Sequence, residues 1–209
     1  MTESRFSHRA LLSALDRAQE IIASRPGPAS DVVVLLPFAQ LLPITRRAWA
    51  QRARGGFWPR FETSHSWAQR VAPFVPNGFD ITMQPGRDLL VARQLLRTAR
   101  LPAAPLARAL MQSAWELQRC AAAVPPHGRT AWVDRHRALL PLAPDAPYAY
   151  EAALARLSLE WVARSRFKSD CLWQEMESGR VRHLIVVRGL QPDPLADAWL
   201  ALAASGDTD

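Results

Sequence analysis

The sequence predicts an α/β protein in which helices flank a parallel sheet and an all-α subdomain is inserted between two of its strands. The apolar run 32–36 has no polar alternation, which indicates a strand buried on both faces, as in parallel sheets. A second apolar run, 181–187, returns to strand near the end of the chain. Between them, residues 87–178 carry apolar stripes at helical spacing and predict only helices.

The elements before residue 87 follow from periodicity and breakers. Leu11, Leu15 and Ala18 recur on one helical face, and Gly55-Gly56 ends a later helix. Thr63 or Ser64 is expected to cap the helix that follows the second strand. The predicted spans are helix 7–24, strand 32–36, helix 39–54, strand 57–62, helix 64–71 and a Pro/Gly-rich linker 72–86.

Two domains follow from this order. Residues 1–86 and 179–209 should form the α/β core, and residues 87–178 the helical insertion. A last helix is predicted over 195–204. Because connections between parallel strands are right-handed crossovers, the helices between the strands supply the required topology. The apolar stripes of the insertion are expected to pack on one another rather than to hold a cofactor.

Charge points to a polyanionic partner. The formal net charge is +7 with a pI of about 10.8, and Lys168 is the only lysine among 26 basic residues. Arginine offers planar, bidentate donors that suit phosphate. A GC-rich genome would also replace lysine with arginine, but that bias does not produce a positive net charge. The excess of positive charge therefore favours a nucleic-acid partner.

The cysteines, the histidines and the apolar runs indicate the cellular compartment and the absence of a metal site. Cys120 and Cys171 lack partner spacing, which suits a reducing cytoplasm. No apolar run approaches the length of a membrane span, so we expect no membrane association. The scattered cysteines and five histidines offer no clustered metal ligands. The sequence predicts a cytoplasmic protein without a metal or cofactor.

The order of strands and motifs resembles the motor domain of superfamily 1 helicases of the UvrD type. Thr63-Ser64-His65-Ser66-Trp67 is similar to the T-x-H-S segment of that family. The stretch from Leu184 to Leu195 resembles the family's acidic strand segment, without its acids. The resemblance implies a P-loop-helicase-like parallel sheet with a helical subdomain.

A closer resemblance is to the N-terminal part of AddB-like DNA repair proteins. Leu35-Leu36-Pro37, Thr45-Arg46-Arg47-Ala48 and Pro59-Arg60 are similar to a strand end, a helix and a segment found in that order there. The separation of Pro37 from Thr45 departs from the family spacing. The resemblance implies a role in DNA repair and recombination. It also implies a helicase motor partner or a C-terminal PD-(D/E)xK nuclease domain as the partner.

Catalytic groups of a motor or nuclease are missing from the sequence. No G-K-[ST] triplet is present, and Val187 and Arg188 stand where the resemblance would place the Mg²⁺-binding acid. Lys168 follows Arg166-Phe167, so no acid stands two residues before it, as a PD-(D/E)xK site needs. We therefore expect no catalytic residue and no enzyme activity in this chain.

A basic segment carries the candidate DNA contacts. Six arginines lie within 46–70, with Glu62 as the only acid, and Trp58 stands among them. Positive grooves with stacking aromatics hold single-stranded DNA. The arginines could equally form a solvated face and Trp58 could pack under the sheet. The predicted DNA-binding residues, for single- or double-stranded DNA, are Arg46, Arg47, Arg54, Trp58, Arg60, Thr63 and His65, the last two through the family resemblance.

Two other functions stay open at this point. A protein-interaction scaffold would use the helices of 87–178 to dock a partner, and would show a large exposed apolar patch there. An unrelated α/β enzyme acting on an anionic small molecule would show a deep pocket at the carboxyl ends of the strands. A hydrolase built on Ser64-His65-Ser66 is disfavoured, because adjacent residues rarely face one another.

Overall fold

The computed structural model describes residues 2–24, 27–52, 58–140, 148–189 and 191–206, and side chains from residue 9 to residue 204 within them. These residues form an α/β protein with a small parallel sheet and a predominance of helix. The chain divides into two compact units. Residues up to 73 together with those from 171 onward form the α/β unit, and residues 74–170 form the helical unit.

The described part of the chain contains nine α-helices and three strands. They are α1 (Thr2–Ser24), β1 (Val32–Leu35), α2 (Leu41–Arg52), β2 (Arg60–Glu62), α3 (Ser64–Val71), α4 (Pro85–Thr98), α5 (Ala103–Ala122), α6 (Arg129–Arg137), α7 (Ala149–Arg164), α8 (Asp170–Glu177), β3 (His183–Val186) and α9 (Pro194–Gly206). Short 3₁₀ turns cover Ala29–Asp31 and Pro126–Gly128. The helical unit also includes 74–84, and the α/β unit includes α8 from Cys171.

The sheet has strand order β2-β1-β3, and both pairings are parallel. Val34 is the register partner of Phe61 on one side and of Ile185 on the other. The predicted parallel sheet is thus confirmed, with the two distant apolar runs as direct neighbours. Within the described residues the second strand begins at Arg60, because Pro59 has no N–H to donate to a ladder. Phe57, the first residue of the predicted span, lies outside the described residues.

β1 is buried on both faces, as its uninterrupted apolar sequence predicts. Its residues alternate between two cores, since side chains point to opposite faces of a strand in turn. Val32, Val34 and Leu36 pack with α1 and α2, where Leu11, Leu15, Trp49 and Phe61 complete the cluster. Val33 and Leu35 pack on the other face with α3, α8 and α9, against Trp67, Leu172, Trp173 and Trp199.

The helical unit has its own core, built mainly by α4, α5 and α7. Leu96, Leu110, Ala114 and Val162 are fully buried there. α4 begins with Pro85 in its first turn, where a missing N–H breaks no helical hydrogen bond. The apolar stripes predicted for this region do pack on one another.

Buried acids fix the irregular segment that precedes α4. Asp80 is fully buried and accepts hydrogen bonds from the backbone N–H groups of Asn77 (2.7 Å) and Arg166 (2.9 Å). The Arg166 guanidinium adds a 3.0 Å ion pair. Desolvation by burial raises the pKa of Asp80, but these hydrogen bonds and the nearby charge of Arg166 outweigh it and lower the pKa below its usual value.

We expect the stability of the helical unit to fall as acid protonates Asp80. A carboxyl group with a lowered native pKa contributes its stability above the unfolded-state pKa, about 4. That contribution is lost as the pH drops through the native pKa. Urea titrations at pH 7, 5 and 3 should show the loss below about pH 4. Asp80→Asn should be less stable at pH 7 and should flatten this dependence, and an unchanged slope in that variant would contradict the assignment to Asp80.

Candidate nucleic-acid interface

The T-x-H-S segment forms the start of α3. Thr63 is the N-cap, and its Oγ1 accepts from the Ser66 N–H at 3.1 Å. Ser66 Oγ accepts in turn from the Thr63 N–H at 2.9 Å and donates to Glu62 Oε2 at 2.6 Å. This reciprocal capping box satisfies two backbone donors at the helix start. Thr63 and Ser66 therefore have structural roles that explain both residues of the motif.

Arg60 is half-buried on one face of the sheet and does not belong to an open surface. Its guanidinium stacks over the Trp67 ring at 5.6 Å, on the face of the sheet that α3 covers. Its Nε and Nη2 atoms are buried without a hydrogen-bond partner among the residues that the structure describes. Burial lowers the pKa of Arg60 and the charge of Arg70 lowers it further, while Glu175 and Glu62 oppose the shift. Arg60 thus belongs to a half-buried charged layer with Glu62 and Arg70, which pair at 2.8 Å.

α2 presents the open basic surface of this unit. Arg46 and Arg47 are both exposed, whereas Thr45 and Trp49 are buried against the sheet. α2 contains no acidic residue. Within the described part of the chain, neither arginine has an ion pair. Arg52, one turn later, does have one, at 3.4 Å with Asp16 of α1.

The carboxyl ends of the three strands meet at one edge of the sheet. Phe38 follows β1 there and is 45% exposed, and His65 lies exposed in the first turn of α3, after β2. After β3, Gly189 approaches Pro37 so closely that a Cβ at Gly189 would lie 3.0 Å from the Pro37 Cβ. Arg188 beside it is exposed and pairs with Asp197 at 2.9 Å.

The structure separates the predicted DNA-binding residues into different places. Arg46 and Arg47 lie on α2, over one face of the sheet, and Arg60 packs under the other. Trp58 is 46% exposed just before β2, and His65 is exposed at the strand-end edge. Arg54 lies outside the described residues.

Sequence reasoning missed Phe38 and Ile44, which are half-exposed and apolar. Phe38 stands directly after the proline that ends β1, and Ile44 lies in the first turn of α2, one helical turn before Arg47. An aromatic residue after a strand-ending proline was the available signal. Together with Arg46 and Arg47 they give this end of the unit an apolar and basic character.

A cavity of about 130 Å³ lies at the opposite, amino end of the strands. It is lined by Ile21, Ile22, Asp31, Val32, Arg182 and His183, among others. Its volume is below the roughly 300 Å³ at which small-molecule pockets begin, and such pockets favour the carboxyl ends of parallel strands. This cavity gives no support to an enzyme acting on an anionic small molecule.

No protein-family model, curated protein or solved structure matches this chain. Within the described ranges, no helix is long and apolar enough to cross a membrane, and no three His, Cys, Asp or Glu side chains are grouped as metal ligands.

Removing the N-cap hydroxyl should weaken the α/β unit. We expect Thr63→Ala to lower the free energy of unfolding by about 1 kcal/mol, because the Ser66 N–H loses its acceptor. Thr63→Ser keeps the hydroxyl and is the matched control. Denaturant unfolding followed by tryptophan fluorescence measures both. Equal stability of the alanine variant and the wild type would show that the cap contributes nothing.

Proposed function

We propose that this chain is a non-catalytic, helicase-like DNA-binding domain of a DNA repair and recombination protein. The observation that carries the proposal is the surface of α2, where Arg46 and Arg47 are exposed on a helix without acids and neither of them has an ion pair in the described ranges. Arginines left unpaired in this way are free to contact phosphates. Phe38 at the adjacent strand-end edge offers a stacking partner for a base.

The helicase-like part of the proposal is supported by topology. Val34 and Ile185 are adjacent in one parallel sheet, although the whole helical unit separates them in sequence. The Thr63 to Trp67 segment begins a helix at the carboxyl end of β2. This order of strand, capped helix, helical insertion and returning strand is the order that the AddB-like resemblance implies. Docking to a motor partner or to a nuclease domain is the further role it suggests.

Single-stranded DNA should bind through α2 with affinity that falls as salt rises. Anisotropy of a fluorescent oligonucleotide at 50–200 mM salt gives the slope of log K against log salt, about −0.7 for each phosphate contact. We expect Arg46→Gln with Arg47→Gln to reduce the magnitude of that slope by about 1.4.

The control removes the same charge from two arginines that already pair with acids, Arg17→Gln with Arg137→Gln. Its slope should stay close to that of the wild type. Equal losses in the two double variants would mean that net charge, and not α2, determines binding. The absence of any affinity at 50 mM salt would remove the DNA-binding proposal.

ATP hydrolysis should be absent. The sequence has no G-K-[ST] triplet to hold a triphosphate, and Arg188 stands where the family has an acid for Mg²⁺. A phosphate-release assay with ATP, Mg²⁺ and single-stranded DNA should give the rate of the buffer alone. Hydrolysis that copurifies with the chain and rises with its concentration would contradict the proposal that the domain is non-catalytic.

A protein-interaction scaffold is the second candidate. Several large apolar side chains of the helical unit are well exposed: Val75, Leu90, Leu139, Tyr148 and Tyr150, at 60–80% of their surface. DNA affinity separates the two proposals, because a scaffold of this kind requires none. A chain without salt-dependent DNA binding would favour the scaffold.

A further inference from the structure

A row of three arginines lies on the outer side of α4 and just beyond its end. Arg93, Arg97 and Arg100 are all exposed, while the neighbouring Ala92 and Leu96 are fully buried in the core of the helical unit. Arg93 and Arg97 are one helical turn apart, about 6 Å along the axis. We call these three residues the α4 arginine row.

α4 itself offers the row no exposed acid. Asp88 is the only acid of α4, and it is fully buried, where it accepts from Thr82 Oγ1 at 2.7 Å and from Trp115 Nε1 at 2.8 Å. Across the described ranges, none of the three arginines has an ion pair. Like charges four residues apart on a helix repel each other. In α6, by contrast, Arg137 pairs with Asp134 at 3.0 Å.

Arg100 occupies a backbone position that normally belongs to glycine. Its φ is 57°, in the left-handed region, which is strained for a residue with a Cβ. The Leu101 N–H donates to the Leu96 carbonyl at 2.9 Å, and the Arg100 N–H donates to the Arg97 carbonyl at 3.0 Å. This pair of bonds is a Schellman motif, in which glycine is usual at the position of Arg100.

The helix dipole explains only part of the arrangement. A cation near a helix C-terminus is favourable, which accounts for Arg97 and gives Arg100 some compensation. The effect fades within the last turn, so it does not reach Arg93. Arg97 already places a cation in the last turn. The helix dipole therefore does not explain why a second cation, Arg100, occupies a strained position. Residues with strained backbone conformations concentrate at functional sites.

We propose that the α4 arginine row is a second nucleic-acid contact, in which Arg93, Arg97 and Arg100 bind successive backbone phosphates. Arginine side chains form bidentate, charge-assisted hydrogen bonds with phosphate oxygens. Bound phosphates remove the mutual repulsion that the free helix carries. The inference rests on the proposed function of DNA binding, and it assigns the helical unit a share in that binding.

The test compares two triple variants of the full chain that lose the same charge. One is Arg93→Gln, Arg97→Gln and Arg100→Gln. The control is Arg119→Gln, Arg135→Gln and Arg164→Gln, three exposed arginines of the helical unit away from α4 that also lack ion pairs in the described ranges. With a single-stranded oligonucleotide, the row variant should lose about 2 from the magnitude of the salt slope and about tenfold or more in affinity at 50 mM salt. In the control, the magnitude of the salt slope should fall by less than a third as much.

Two further variants separate binding from folding. Replacing the row by three lysines keeps the charge and should keep most of the salt slope. Arg100→Gly relieves the left-handed strain, so its melting temperature should equal or exceed that of the wild type while its affinity falls several-fold. Weaker binding by a protein that is no less stable is an effect that a purely structural role of Arg100 would not produce.

The outcomes distinguish this inference from the proposed function. If the row variant binds DNA as the control does, while Arg46→Gln with Arg47→Gln weakens binding, the α4 contact is overturned and the proposed function stands. If the wild type binds no oligonucleotide, both fail together. If the wild type binds vesicles that contain phosphatidylserine through the row but binds no oligonucleotide, the row serves a lipid surface and the inference is likewise overturned.

Discussion

The burial of β1 on both faces is the constraint on which the α/β unit depends. Val33 and Val34 are fully buried in two different cores, one under α1 and α2 and the other under α3, α8 and α9. Each such side chain contributes about 1.5–3 kcal/mol by leaving water. Because both faces must be covered, the chain needs helices on either side of the sheet, and β3 has to return after the helical unit to occupy the free edge of β1.

That layering also decides which charged residues can reach a ligand. Successive residues of β2 point to opposite faces, so Phe61 enters one core while Arg60 and Glu62 enter the layer under α3. Arg60 is close in sequence to the arginines of α2 but lies on the other side of the sheet. A basic run in the sequence is therefore divided by the strand into a buried structural part and an exposed part, and only the exposed part can bind a polyanion without rearrangement.

Much of the fold could be predicted because its signals are local or strongly apolar. Each of three local patterns predicts its own structural environment: the uninterrupted apolar run 32–36, the Thr63 cap and the apolar stripes at helical spacing. The burial of Arg60 could also have been predicted, because side chains in a strand point to opposite faces in turn and Arg60 precedes the large apolar Phe61. Counting the arginines of the segment took no account of which face each of them occupies. Arg100 gave no signal at all, because a Schellman motif is recognised in sequence by the glycine that this chain does not have.

The placement of the acids makes the surface more basic than the formal charge of +7 indicates. Glu62, Asp80, Asp88 and Glu175 are buried, where they accept hydrogen bonds that hold α3, the segment before α4 and the end of α8. Some arginines pair with acids, such as the buried Arg129 with Asp170. Within the described residues, Arg46, Arg47 and the α4 arginine row do not. These four carboxylates help to build the fold, and the positive charge of the unpaired arginines remains on the exposed sides of α2 and α4. Composition alone cannot reveal this, because a buried and an exposed carboxylate count equally toward net charge.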